Sequence, residues 1–167
     1  MPIPPEIVKE IEANMARQRL QTSLELLRDG KFTLELVRAS DEPGEFTEAF
    51  QEELRHFGQS LDDARIPYNQ TRMVMDSVGG GCFPLPEYII EINKLVPPVI
   101  SGLTVCVVAW IHARSGRKAR LLVGKEEVEA EGRDHAEIEA LLKTAMAYRD
   151  REKASDPEKD SDPSGQP

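Results

Sequence analysis

The chain has few aromatic residues, one Trp, three Tyr and five Phe in 167, so its core must be built mainly from aliphatic side chains and Met. That scarcity argues against a platform of rings on which bases stack. Cysteine is scarce too: Cys82 and Cys106 stand far apart and form no C-x-x-C pair, which leaves neither a disulfide framework nor a thiolate zinc motif. No H-x-x-x-H or H-E-x-x-H spacing joins His56, His112 and His135, and no metal or cofactor is expected. Basic residues are outnumbered, 21 against 30 acidic, and the net charge of -9 repels phosphate backbones at long range, which argues against general nucleic-acid binding. The opening Met1-Pro2-Ile3-Pro4-Pro5-Glu6 lacks the basic-then-apolar order of a secretory signal. With free thiols, this gives the expectation of a cytoplasmic protein.

The chain does have clear periodicity. Its length suits one ordinary domain, able to bury about two-thirds of the extended chain's surface. Between Pro5 and Arg28, Ile7, Ile11, Met15, Leu20, Leu24 and Leu27 recur at three- to five-residue spacing among charges, which predicts an amphipathic helix stopped by Asp29-Gly30. Phe32, Leu34 and Leu36 then alternate with polar residues, the period of a half-buried strand. Phe46, Phe50, Leu54 and Phe57 return to helical spacing, with Gly58 as the expected end. Arg72 to Ser77 predicts a second strand, running into Gly79-Gly80-Gly81 and a proline-punctuated stretch in which Tyr88, Ile89 and Ile92 open a short helix. After Pro97-Pro98, Val99 to Ile111 is the most apolar helix. Leu121-Leu122-Val123, Gly124-Lys125 and Val128 to Ala130 predict a β-hairpin with one acidic strand, Glu126 to Glu131. Asp134 and Glu137 open a last helix buried through Ile138, Leu141, Leu142 and Ala145.

The expected fold class is α+β: a small, mostly four-stranded sheet covered by helices, in the order α-β-α-β-α-β-β-α. Residues 1–30 form the N-terminal helix, 31–149 the domain, and 150–167 an acidic tail whose Asp, Ser, Pro, Lys and Gly offer nothing to bury and predict disorder.

Three segments are candidates for function. Gly79, Gly80, Gly81 and Cys82, between a strand and a helix, form a candidate ligand or partner contact, since successive backbone N–H groups can wrap a phosphate there. The segment has no G-x-G-x-x-G and no G-K-[ST] ending, and Pro84 and Pro86 delay the helix. A tight bend is the plainer reading. Cys82 as a nucleophile requires a base supplied through the fold, while Cys106 between Val105 and Val107 reads as a core residue. Arg114, Arg117 and Lys118 form a basic cluster, read first as a solvated face at a helix C-terminus and second as a contact for nucleic acid, lipid headgroups or a protein partner. Ile7, Ile11, Met15, Leu20 and Leu24 supply an apolar stripe that either covers the domain's own core or pairs with a helix of another chain. The Glu126 to Glu131 ladder reads first as the water-facing side of a strand and second as a way to pair two copies edge to edge, carboxylates facing arginines. Leu95 to Ile111 runs seventeen residues without a charge, short of the roughly twenty that span a bilayer, which leaves an inner-membrane association as the alternative to a buried helix.

The segment from Val99 to Thr144 carries a wider pattern. An apolar helix ends in Trp110-Ile111-His112-Ala113-Arg114-Ser115-Gly116-Arg117-Lys118, followed by Arg120-Leu121-Leu122-Val123-Gly124, Val128-Glu129-Ala130-Glu131 and Glu137 to Leu142. It resembles the effector-associated constant component family of bacterial conflict systems, over roughly residues 31 to 145. The resemblance implies an invariant accessory part encoded with variable effectors, such as peptidases, in antiviral defence. It carries no catalytic residues, and the family's apolar helix is often read as a membrane span. This sequence departs in its short, proline-interrupted apolar helix and its added N-terminal helix.

The expected function is therefore non-enzymatic: a protein-interaction component, adaptor or regulator of a defence effector. The alternatives are an accessory component anchored to a membrane through residues 95–111, and a small-ligand binder or thiol enzyme at Gly79 to Cys82.

Overall fold

The computed structural model describes residues 1–74, 81–131 and 135–155. The element order is α1 (Pro5–Arg28), β1 (Lys31–Val37), α2 (Glu48–Asp63), β2 (Tyr68–Val74), β3 (Cys82–Glu91), a single 3-10 turn (Ile92–Lys94), α3 (Pro97–Ala113), β4 (Lys118–Val123), β5 (Glu126–Ala130) and α4 (His135–Ser155). The class is α+β, with a sheet of five strands instead of the expected four, ordered β2-β3-β1-β4-β5. Every neighbouring pair is antiparallel. β1 and β2 are consequently parallel and linked through α2, and β3 and β4 are parallel and linked through α3, each pair with one strand between them. These two interlocked split β-α-β units make the connectivity called ferredoxin-like, here extended by β5 at one edge, α1 before and α4 after.

The extra strand is β3, where the sequence predicts a loop and a short helix over Tyr88 to Ile92. The prolines misdirect that reading. β1 pairs β3 only from Glu87 to Glu91, while Cys82, Phe83 and Pro84 pair with β2 alone. Pro84 and Pro86 thus lie where β3 has a neighbour on one side, and a missing N–H costs no ladder bond. Side-chain amides take up carbonyls of this half: Gln51 Nε2 donates to the Pro84 carbonyl at 3.0 Å, and Gln70 Nε2 to that of Leu85 at 3.0 Å. β2 begins at Tyr68, before the expected Arg72, and residues 75–77 of the expected strand lie outside the described residues.

The two faces of the sheet differ. Phe32, Leu34, Leu36, Tyr88, Ile90, Ala119, Leu121 and Val123 point to one face and are buried with Phe50, Leu54, Phe57 and Leu61 of α2 and Leu103, Val107 and Trp110 of α3. Ile138 and Leu142 of α4 close that core. The few aromatic rings concentrate here: Phe57 meets Tyr88 at 5.1 Å between centroids and Trp110 at 6.2 Å, edge to face in both cases, the geometry ring quadrupoles favour. The other face carries Thr33, Glu35, Glu87, Arg120 and Leu122, and α1 lies against part of it, its Arg19 paired with Glu35.

α1 spans Pro5 to Arg28 and stops at Gly30, whose φ of +70 is the conformation glycine adopts without strain. α2 departs from expectation. It continues through Gly58 to Asp63 and ends where Arg65 turns left-handed at φ 57. Gly58 has a packing role instead, because a Cβ there would stand 2.8 Å from the Tyr68 hydroxyl. α3 starts at Pro97 and Pro98, which occupy its first turn. A proline in that position lacks only an N–H that has no intrahelical partner anyway, so the prolines begin the helix and do not interrupt it. α4 continues to Ser155, past the expected start of the tail at Asp150, and residues 156–167 lie outside the described residues, as does Asp134.

Candidate functional site

The three candidate segments meet different fates. The glycine segment is not a strand-to-helix turn: it lies between the antiparallel strands β2 and β3. Gly79 and Gly80 lie outside the described residues. Gly81 precedes β3, and Cys82 is its exposed first residue. No helix N-terminus follows, so the dipole that phosphate binding requires is missing from the arrangement. Cys106 is buried in α3, where its Sγ reaches the Ser60 carbonyl at 3.6 Å and burial raises the thiol's pKa. Among the described residues no three His, Cys, Asp or Glu side chains come together in a way that could hold a metal ion.

The basic cluster is taken up by carboxylates. Arg114 pairs with Asp41 at 3.2 Å, and Lys118 reaches Glu129 and Glu131, each at 3.0 Å. The solvated-face reading fails for Arg117, which is 4 % exposed. Its guanidinium lies over the Trp110 ring at 4.0 Å from the centroid, a cation–π contact. Its Nε donates to Glu42 Oε1 at 2.9 Å, its Nη2 donates to the same oxygen, and Nη2 also meets Glu53 at 3.2 Å. Glu42 is buried in turn, and its second oxygen accepts from the Ala39 N–H at 2.6 Å. Burial alone would raise the Glu42 pKa, but the hydrogen bonds from Arg117 and Ala39 and the positive charges of Arg117 and Arg114 outweigh it and hold it below the ordinary 4.5. The Trp110 indole N–H, on the same helix end, donates to the Lys118 carbonyl at 3.2 Å. This knot fixes the loop before α2 to the end of α3 and the start of β4. It is a structural tie with no charge left to offer a phosphate.

Sequence reasoning did not find this knot, because Glu42 sits in a stretch read only as a loop and its partner is 75 positions away. It also passed over a second cluster on the far face of the sheet. Glu35 and Glu87 are directly opposite in the β1–β3 register, a placement that repels. Arg19 pairs with Glu35, and Arg120 approaches Glu35 at 3.8 Å while bonding Glu129 at 2.8 Å. Glu87 remains under-compensated. Burial, then the charge of Glu35, raise its pKa against the opposing charge of Arg19.

The apolar stripe of α1 has an unexpected disposition. Only Ser23 and Leu27 of this helix are buried, with Leu24 partly covered. From Pro5 to Thr22 every residue is exposed, Ile7 and Ile11 at 47 % each and Met15 at 63 %. A groove between α1 and the sheet is lined by Arg19, Ser23, Thr33, Glu87 and Leu122, and the buried Ser23 hydroxyl makes no hydrogen bond there. The groove reaches along α1 as far as Met15 and Glu12, and only the first two turns, Pro5 to Ile11, extend beyond it. Helix periodicity alone could not show this, since a 3.6-residue stripe marks an apolar face and not what covers it.

Among the described residues no helix is long and apolar enough to cross a membrane. The Leu95 to Ile111 run instead supplies core: Ile100, Leu103, Cys106, Val107, Trp110 and Ile111 are all buried against the rest of the domain. No family model, no curated protein and no solved structure matches this chain.

Proposed function

We propose that this chain is a non-catalytic protein-interaction component, acting in the cytoplasm as an adaptor or regulator of an effector in a bacterial antiviral defence system. The observation that carries the interaction reading is α1: a helix of 24 residues whose apolar Ile7, Val8, Ile11 and Met15 face solvent. Soluble helices gain most of their stability by burying such a stripe. Here the chain's own sheet covers only the last two turns, and a second protein surface is the natural cover for the rest. The arginines that could have marked a nucleic-acid or lipid contact are engaged by Asp41, Glu42, Glu53 and Glu129, which favours a protein partner over an anionic one. The effector, encoded nearby, enters through the resemblance of residues 31 to 145 to the effector-associated constant component family.

The test is affinity purification of the tagged full chain from its native host, with partners identified by mass spectrometry. An effector recovered in stoichiometric amount, and lost with Ile11→Glu, is the expected result. A purified chain that turns over a substrate and loses that turnover on changing one residue would overturn the reading.

A further inference from the structure

We propose that the groove between α1 and the far face of the sheet is a binding site for a linear alkyl polyamine. The site lies beyond the first two turns of α1 and is independent of what covers them.

The groove encloses about 630 Å3, a size suited to a small molecule. The sheet sets out its length. Glu87 stands on β3 and Glu126 and Glu127 on β5, and all three line the groove. β1 and β4 lie between β3 and β5, so three strand spacings of about 4.8 Å set the two groups of carboxylates roughly 14 Å apart. Thr33 of β1, Leu122 of β4 and Glu127 of β5 follow one another across the sheet in register. Met15, Ala16 and Leu20 of α1 line the same groove. Apolar walls with carboxylates toward both ends match an alkyl chain that carries an ammonium group at each end.

The charges select a cation. Arg19 is taken by Glu35, and Arg120 is held by Glu129 at 2.8 Å, so neither is left to neutralise Glu87. Among the described residues Glu12, Glu87 and Glu126 of the groove make no ion pair, and Lys125 is the one lining cation without one. An anion entering here meets carboxylates. Burial and the charge of Glu35 raise the Glu87 pKa although the charge of Arg19 and a hydrogen bond with Thr71 oppose them, and a cation beside Glu87 relieves that repulsion. A metal ion is a poor match, because no three candidate ligands converge among the described residues.

Ser23 supplies an independent mark of a missing partner. It lines the groove, it is 5 % exposed, and its hydroxyl makes no hydrogen bond. A buried hydroxyl left without a partner is costly. An N–H of the bound amine donating to Ser23 Oγ removes that cost, which a wholly apolar ligand leaves in place.

The test is calorimetric titration of the full chain with spermidine at neutral pH and physiological salt. Saturable binding of one molecule per chain is expected. Glu87→Gln removes a repelling charge and is expected to fold, yet to weaken binding on the order of tenfold, as loss of a charged hydrogen bond implies. Ser23→Ala is expected to weaken binding without lowering Tm, since the free protein has no hydrogen bond there to lose. Glu6→Gln removes the same charge outside the groove and is expected to leave the affinity unchanged. Hexamethylenediamine is expected to bind more tightly than hexylamine, which has the same chain and a single ammonium group. Equal weakening by Glu6→Gln and Glu87→Gln would reveal a general attraction of amines to an acidic chain and overturn the proposal. Hexylamine binding as tightly as the diamine would overturn it as well, as would a titration that does not saturate.

Discussion

Glu42 illustrates what a single residue can hide in a sequence. It lies in a polar stretch with every mark of a solvent loop, yet it is the buried counter-ion of Arg117. Removing one partner of such a pair leaves the other charge buried and uncompensated, so Glu42→Gln is expected to cost about 3 kcal/mol in urea unfolding at neutral pH. The pH dependence has a definite sign. The pKa of Glu42 is lower in the folded chain than in the unfolded one, so its stabilisation is present above the ordinary carboxylate range and is lost as pH falls through the folded value. The acid limb of the stability curve should be shallower in Glu42→Gln. Arg117 was legible as a basic residue at a helix end, but its burial was not, because burial was decided by Glu42, Glu53 and Trp110 arriving from three other places in the chain.

At the scale of elements, periodicity was a good guide where one face of an element meets one layer. α1, β1 and the β4–β5 hairpin run where the alternation of apolar and polar residues places them. It failed at β3, where two prolines read as punctuation lie in the half of the strand with a neighbour on one side only, and at α2, where Gly58 makes room for Tyr68 and does not end the helix. The docking of α1 on the sheet, through the buried Ser23 and Leu27, sets Arg19 over a cross-strand feature that no local pattern reveals, the Glu35–Glu87 opposition. Because burial and Glu35 raise the Glu87 pKa, the folded chain binds that proton more tightly than the unfolded one. The associated stability is present below the ordinary carboxylate range and is lost as pH rises through the folded value. Glu87→Gln is therefore expected to raise Tm at neutral pH, by a margin that shrinks as the buffer is made acidic. An equal gain at every pH would mean that Glu87 is not the group under strain.

For the whole molecule, α+β was readable because aliphatic strands and amphipathic helices alternate along the chain, and the apolar α3 belongs to the core they form. The strand order was not, since two split β-α-β crossovers leave no local mark. Nor could the sequence say whether α1 covers its own domain or reaches another chain; the exposure of Pro5 to Thr22 favours the second. A domain with its core enclosed on one side of the sheet, an internal ion-pair knot and one helix projecting its apolar stripe is organised as a platform that presents an arm. Fold alone assigns no activity.

The most direct measurement is amide hydrogen exchange over Pro5 to Thr22, in the protein as purified from its native host, compared with the Ile11→Glu chain prepared in the same way. Slow exchange of that segment is expected in the unaltered protein and fast exchange in Ile11→Glu, with β1 and α3 equally protected in both. Equally fast exchange of the segment in the two would mean that nothing covers α1, and would contradict the central claim.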